Sequence, residues 1–107
     1  IALMEHLGQS LDTLTRLPNR ILLEDRLDQA ISKADREGIH FALMFMDLDG
    51  FKAINDAYGH DVGDKLLVAV TQRLLLPLKG QFTLARIGGD EFVLLTEAEG
   101  ASGPRSL

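Results

Sequence analysis

The sequence predicts an α+β domain in which helices cover a small sheet. Three observations carry this. Two segments, Asn19 to Glu37 and Val62 to Leu76, space their apolar residues as amphipathic helices do. One short apolar run, Phe41 to Leu48, shows no polar helical face and reads as a strand buried on both sides. Two further runs, Phe82 to Ile87 and Phe92 to Thr96, flank Gly88-Gly89-Asp90-Glu91, a four-residue connection that indicates a hairpin.

Leu3, Leu7, Leu11 and Leu14 recur at helical spacing and predict a helical lead-in from an upstream region over residues 1–11. In the next helix, Pro18 and Asn19 supply a start signal and Gly38 a stop, with Leu23, Leu27, Ala30, Ile31 and Ala34 expected to face the core. The Phe41 strand follows. In the later helix the expected inward residues are Val62, Leu66, Val70 and Leu74, and Pro77 and Gly80 end it. The order helix, helix, strand, helix, strand, strand is a layer of helices on a sheet. Residues 97–107 lack periodic apolar positions and read as a flexible tail. That leaves 12–96 as the folded part.

Composition narrows the function. The chain has 107 residues, 46% hydrophobic and 25% charged, which suits one globular domain. Its 11 Lys and Arg against 16 Asp and Glu give a charge of −5, which argues against a nucleic-acid partner. Without cysteine there is no disulfide framework and no thiolate metal site, and a reducing, cytoplasmic setting fits. No apolar run approaches membrane-spanning length, so this segment is expected to make no membrane contact. The chain begins at Ile1 rather than methionine and is expected to be an excised or processed piece.

Two acidic clusters stand where apolar strands end: Asp47-Leu48-Asp49-Gly50-Phe51-Lys52 and the hairpin tip Gly89-Asp90-Glu91. Carboxylates gathered at strand ends repel unless a cation or proton sits between them. Oxygen ligands without nearby His or Cys favour magnesium or manganese over zinc. Magnesium held by one or two carboxylates completes its shell with substrate phosphates, which Lys52 and backbone amides near Gly50 and Phe51 could meet. Taken singly, each cluster also reads as a solvated turn or an ordinary hairpin. A calcium loop is excluded because its twelfth position, which needs Glu, is Tyr58. His6, His40 and His60 lack paired spacing, and neither a catalytic triad nor a phosphate-binding loop of the Walker type is present.

Four motifs in order resemble the GGDEF domain of bacterial diguanylate cyclases. They are Asp12 to Arg20, Asp47 to Lys52 with Asn55-Asp56, Gly59 to Asp64, and Ala85 to Phe92. The resemblance covers Asp12 to Leu95 and implies a polymerase-palm-like, nucleotidyl-cyclase-like sheet. It implies a nucleotidyltransferase that condenses two GTP to cyclic di-GMP, a bacterial second messenger, with loss of two pyrophosphates. By the same resemblance Asp47 and Glu91 bind magnesium (manganese is the alternative), with the Leu48 carbonyl assisting. Asp90 lies by the attacking ribose hydroxyl as base or positioning group. Asn55 and Asp64 hydrogen-bond guanine, Lys52 with Gly50 and Phe51 meets phosphate, and Gly88-Gly89 leave room for the nucleotide. Arg86 and Asp12 are expected to pair behind the hairpin.

Catalysis in that family joins two GTP-loaded domains head to head, so the resemblance implies a homodimer with one half-site per chain. It also implies an upstream sensory domain in the parent protein and leaves a downstream phosphodiesterase domain and membrane anchoring open. Three departures stand out. Lys79 and Phe82 replace the Arg and Asp of the family's inhibitory product site, so no product inhibition there is expected. Arg16 stands where the family often has Gly. The chain also stops soon after the hairpin, whereas the family domain continues, so the C-terminal portion of the fold is expected to be missing and the Phe41 strand to lack a neighbour. A non-catalytic GTP-binding regulatory module and an inactive truncated fragment are the alternative readings.

Overall fold

The computed structural model describes residues 10–98. Helix α1 spans Arg20–Glu37. The Asn19 side chain accepts from the Leu22 amide at 3.2 Å, satisfying one orphan donor of the first turn. At the other end Gly38 adopts φ 68° and donates to Ala34, a left-handed cap open to a residue without Cβ. Leu22 and Leu23 are buried, with Leu27 and Ala30 packed alongside the core. Ile31, expected inward, is exposed, because one step beyond Ala30 turns the side chain by about 100° away from the sheet.

Three strands form one antiparallel sheet: β1 (His40–Asp47), β2 (Phe82–Arg86) and β3 (Glu91–Ala98), in the order β1-β3-β2. Their alternation sends side chains to two cores. Leu23, Ala85, Val93 and Leu95, with Phe41 and Leu43 alongside, pack on the α1 side. Leu67, Leu84, Phe92 and Leu94, with Met46 and Leu48, pack on the other. β3 sits in the middle and runs on to Ala98, so Glu97 and Ala98 belong to the sheet rather than to a tail. The remainder of the expected tail, 99–107, lies outside the described residues.

β1 is not buried on both sides. Among the described residues it is an edge strand, and Met44 and Phe45 are 47% and 71% exposed. The bare edge follows the expectation of a missing neighbour.

Two helices replace the one expected after β1. α2 spans Phe51–Tyr58 and α3 spans His60–Leu75, separated by Gly59 at φ 91°. α2 is short and docks through one buried side chain, Phe51. The buried face of α3 is Gly63, Leu67 and Thr71, with Leu66, Val70 and Leu74 on its flank and Val62 exposed. Hydropathy misplaced this face by one residue because two of its three members are not apolar. Thr71 enters the interior by donating its hydroxyl to the Leu67 carbonyl at 2.9 Å.

Residues 10–19 form a closed turn rather than the end of a helix. Leu11 bridges to Pro18, Asp12 N–H donates to the Leu17 carbonyl at 2.7 Å, and Asn19 N–H donates to Ser10. Leu14 packs at the edge of the Leu67 core. Leu3 and Leu7 lie outside the described residues. Arg16 has φ 64°, the left-handed region that favours glycine. Among the described residues no helix is long and apolar enough to cross a membrane.

Candidate functional site

The register of β1 and β3 brings the two acidic clusters together. Asp47 and Glu91 are direct Cα partners across the strands, and just beyond them Leu48 N–H donates to the Asp90 carbonyl at 3.2 Å. Side chains directly opposite on antiparallel strands lie on the same face of the sheet. Asp47 and Glu91 are exposed and Asp90 is half-buried.

From this end the chain turns through Gly50 at φ 78° into α2. Phe51 is buried and anchors the turn, so Lys52 beside it faces solvent. The Phe51 amide donates to the Leu48 carbonyl at 3.4 Å. That carbonyl keeps a second lone pair, and the Phe51 donor is partly engaged.

One turn on, Asn55 lies against Gly63 of α3. A Cβ at Gly63 would collide with the Asn55 side chain and touch the Phe51 ring at 3.4 Å, so only glycine allows the two helices this close. Asn55 Oδ1 is buried without a hydrogen-bond partner, an acceptor left uncompensated. Asp64, next to Gly63, is exposed. Asn55 and Asp64 thus stand on either side of the α2–α3 junction, and Asp47 and Glu91 stand at the same end of the sheet.

The hairpin glycines differ. A Cβ on Gly88 would meet the Glu91 carboxylate, so the room there is taken by the chain's own side chain, whereas Gly89 has nothing within 4 Å. Only Gly89 matches the expectation of free space for a ligand. Lys79 is exposed, and Phe82 opens β2 and packs against the Leu67 core.

Behind the tip, Arg86 and Asp12 pair as expected, at 3.0 Å. Arg86 also donates through Nε and NH2 to the Gly89 carbonyl, at 3.1 and 2.8 Å. Thr15 was not anticipated: its amide and hydroxyl donate to Asp12 at 2.8 and 2.7 Å. The Asp-x-x-Thr spacing, which lets an Asp side chain cap its own turn, was the available signal. Burial pushes the Asp12 carboxyl up, but the Thr15 and Arg86 hydrogen bonds and the Arg86 charge outweigh it and hold it below the usual carboxylate range.

The donor set fits magnesium. Asp47, Glu91 and the Leu48 carbonyl offer hard oxygen donors, the kind magnesium prefers. Among the described residues no group of three or more His, Cys, Asp or Glu could cage a metal. Two carboxylates and a carbonyl are the partial shell that magnesium shares with phosphate oxygens. Two cavities among the described residues lie elsewhere. One of about 380 Å³ runs beside α1, lined by Arg26, Lys33, Phe41, Phe82 and Thr83, and a second adjoins Asp12, Arg20 and Arg86. Neither includes Asp47, Asn55, Asp64 or Glu91.

Comparison with known proteins agrees with this layout. The family description "Diguanylate cyclase, GGDEF domain" matches residues 9–104. The bifunctional diguanylate cyclase/cyclic di-GMP phosphodiesterase MucR of Pseudomonas aeruginosa is 62% identical over 87 residues, 81% of this chain and 13% of MucR. A form of TpbB from the same species comprising only the GGDEF domain superposes with TM-score 0.80 at 43% identity, over 91% of this chain and 56% of that one. The GGDEF domain of DgcB from Caulobacter crescentus, solved with c-di-GMP, gives TM-score 0.81 at 35% identity, over 88% of this chain and 53% of that one. The chain thus spans little more than half of solved GGDEF domains and a small part of its curated relative.

Proposed function

The chain belongs to the GGDEF domain family of diguanylate cyclases, and from that premise we propose that the protein carrying it condenses two GTP to cyclic di-GMP and two pyrophosphates. The observation that supports this best is the facing pair Asp47 and Glu91, with Asp90 tied to β1 through Leu48 N–H. In this reading Asp47, Glu91 and the Leu48 carbonyl hold magnesium, with manganese a substitute. The ion, when bound, stabilises the attacking and leaving oxygens of an in-line phosphoryl displacement.

The chain's own residues do the rest. The Asn55 amide offers both donor and acceptor and Asp64 accepts from N–H groups, a pattern that suits the guanine edge. Lys52 and the Gly50 turn meet phosphate. Asp90 positions the ribose 3′-hydroxyl and takes its proton as the oxygen attacks the α-phosphorus of the facing GTP. The bond to pyrophosphate breaks in the same displacement, and a second transfer closes the ring. Each transfer needs a nucleotide from each of two domains, so the active form is a homodimer in which every chain supplies half a site. Phe82, which packs against the Leu67 core, stands where the resemblance places an acidic side chain, and product inhibition through that site is not expected.

MucR, named for both activities, supports a phosphodiesterase domain in the parent protein; an upstream sensory domain and a cytoplasmic location belong to the same proposal. The test is chromatography of the full-length dimeric protein incubated with GTP and magnesium. Cyclic di-GMP is the expected product. Bound GTP without turnover would replace this reading with a regulatory GTP-binding module.

A further inference from the structure

We propose that Arg86 is a positioning residue that fixes the orientation of the Gly89–Asp90 peptide, and that Asp12 in the 10–19 turn holds Arg86 in the pose this requires. The catalytic consequence rests on the proposed function; the structural claim does not.

Gly89 is the weak point of the hairpin tip. It is exposed, nothing lies within 4 Å of where its Cβ would be, and a glycine backbone has the widest choice of conformations. Arg86 removes that freedom. Its Nε and NH2 grip the Gly89 carbonyl at 3.1 and 2.8 Å, while NH1 donates to both Asp12 oxygens at 3.0 and 3.1 Å. The guanidinium is a rigid planar fork, so carbonyl and carboxylate are bound in one fixed relation, which a point-like ammonium cannot reproduce. Asp12 is itself immobilised by Thr15 from two directions. The turn is joined to β2 by the Arg86 amide, which donates to the Pro18 carbonyl at 3.0 Å.

Two consequences follow for Asp90. There is no cis peptide among the described residues, so the Asp90 N–H points opposite to the Gly89 carbonyl. A carbonyl held toward Arg86 therefore aims that N–H away from the 10–19 turn, as a fixed donor at the tip. The carbonyl of Asp90 is held from the other side by Leu48 N–H. Both peptides flanking Asp90 are thus clamped, one by the N-terminal turn and one by β1. A displacement of the turn reaches Asp90 most directly through the Arg86 side chain, whereas Asn55 and Asp64 lie on α2 and α3, outside this linkage.

The experiment compares Arg86→Lys and Asp12→Asn with the wild-type full-length protein by two readouts. In steady-state kinetics on GTP the proposal expects kcat to fall about 10- to 100-fold in Arg86→Lys with KM changed by less than about two-fold, the signature of a misplaced reacting group. Asp12→Asn gives a smaller loss in the same direction. In amide hydrogen exchange, the Leu48 amide exchanges about ten-fold faster in Arg86→Lys, while Val93 and Leu94 at the centre of β3 keep their wild-type rates. Unchanged Leu48 exchange overturns the proposal. So does uniform acceleration through β3, which marks a purely structural ion pair, and so does a rise in KM at constant kcat. If the wild-type protein makes no cyclic di-GMP, the proposed function fails, and the exchange readout alone decides the positioning role.

Discussion

β1 and β3 are written in similar letters, Phe-Ala-Leu-Met-Phe-Met against Phe-Val-Leu-Leu, yet they end in opposite environments. Phe92 and Val93 of β3 are 1% and 0% exposed, whereas Phe45 of β1, the register partner of Val93, is 71% exposed. β3 has a strand on each side, α1 over one face and α3 over the other. Among the described residues β1 has one neighbouring strand, and its Phe45 is exposed. Apolar sequence states a demand for cover; the number of neighbouring elements decides whether it is met. The candidate metal ligands straddle this divide, with Glu91 on the protected strand and Asp47 on the bare one.

The sharpest way to break the contrast is to truncate both aromatics. Phe92→Ala is expected to cost about 3–5 kcal/mol and Phe45→Ala less than about 0.5 kcal/mol, read from urea midpoints. Equal losses would mean that β1 is covered in solution. Next comes the clamp on the protected side, where Asp12→Asn should cost about 1–3 kcal/mol by weakening charged hydrogen bonds to Arg86 and Thr15. Its pH dependence has a definite sign. The folded carboxyl lies below its ordinary value of 3.8, so the unfolded chain binds the proton more readily and stability rises with pH. The contribution is complete above that value and is lost as pH falls through the lowered folded one. Urea midpoints from neutral to acid pH should show this component in wild type and not in Asp12→Asn.

Arg16→Gly should raise stability by about 0.5–1 kcal/mol by relieving the left-handed backbone at φ 64°, visible as a higher Tm. Smallest in energy is Phe45→Lys, worth less than about 0.5 kcal/mol in the fold. Sedimentation should nonetheless show less self-association, because a charge on a bare edge blocks strand pairing.

These regions also differ in how far the sequence disclosed them. α1 was legible because Asn19 and Gly38 mark both ends, and the hairpin because two β-rich runs flank a short glycine turn. The carboxylates could be placed at strand ends, and the Asp47–Glu91 pairing then followed from register. α2 was missed because its eight residues are only two turns, too few for the Phe51 and Ile54 spacing to stand out from a loop. The α3 face was misplaced because Gly63 is buried to admit Asn55 and Thr71 hides its hydroxyl in a backbone bond. Periodicity alone credits neither. The exposure of β1 was invisible to hydropathy, since it depends on a neighbour count, and was anticipated only through the resemblance to a longer domain.

The central claim is that Asp47 and Glu91, joined across the β1–β3 register, hold the divalent cation against GTP. Manganese titration in the presence of GTP, followed by paramagnetic broadening of amide signals, tests it most directly. The account predicts that the Asp47, Leu48 and Glu91 signals broaden first and that Glu91→Gln abolishes the effect. Broadening centred on other carboxylates, such as Glu24, Asp25 and Asp28 of α1, or broadening that survives Glu91→Gln unchanged, would contradict it.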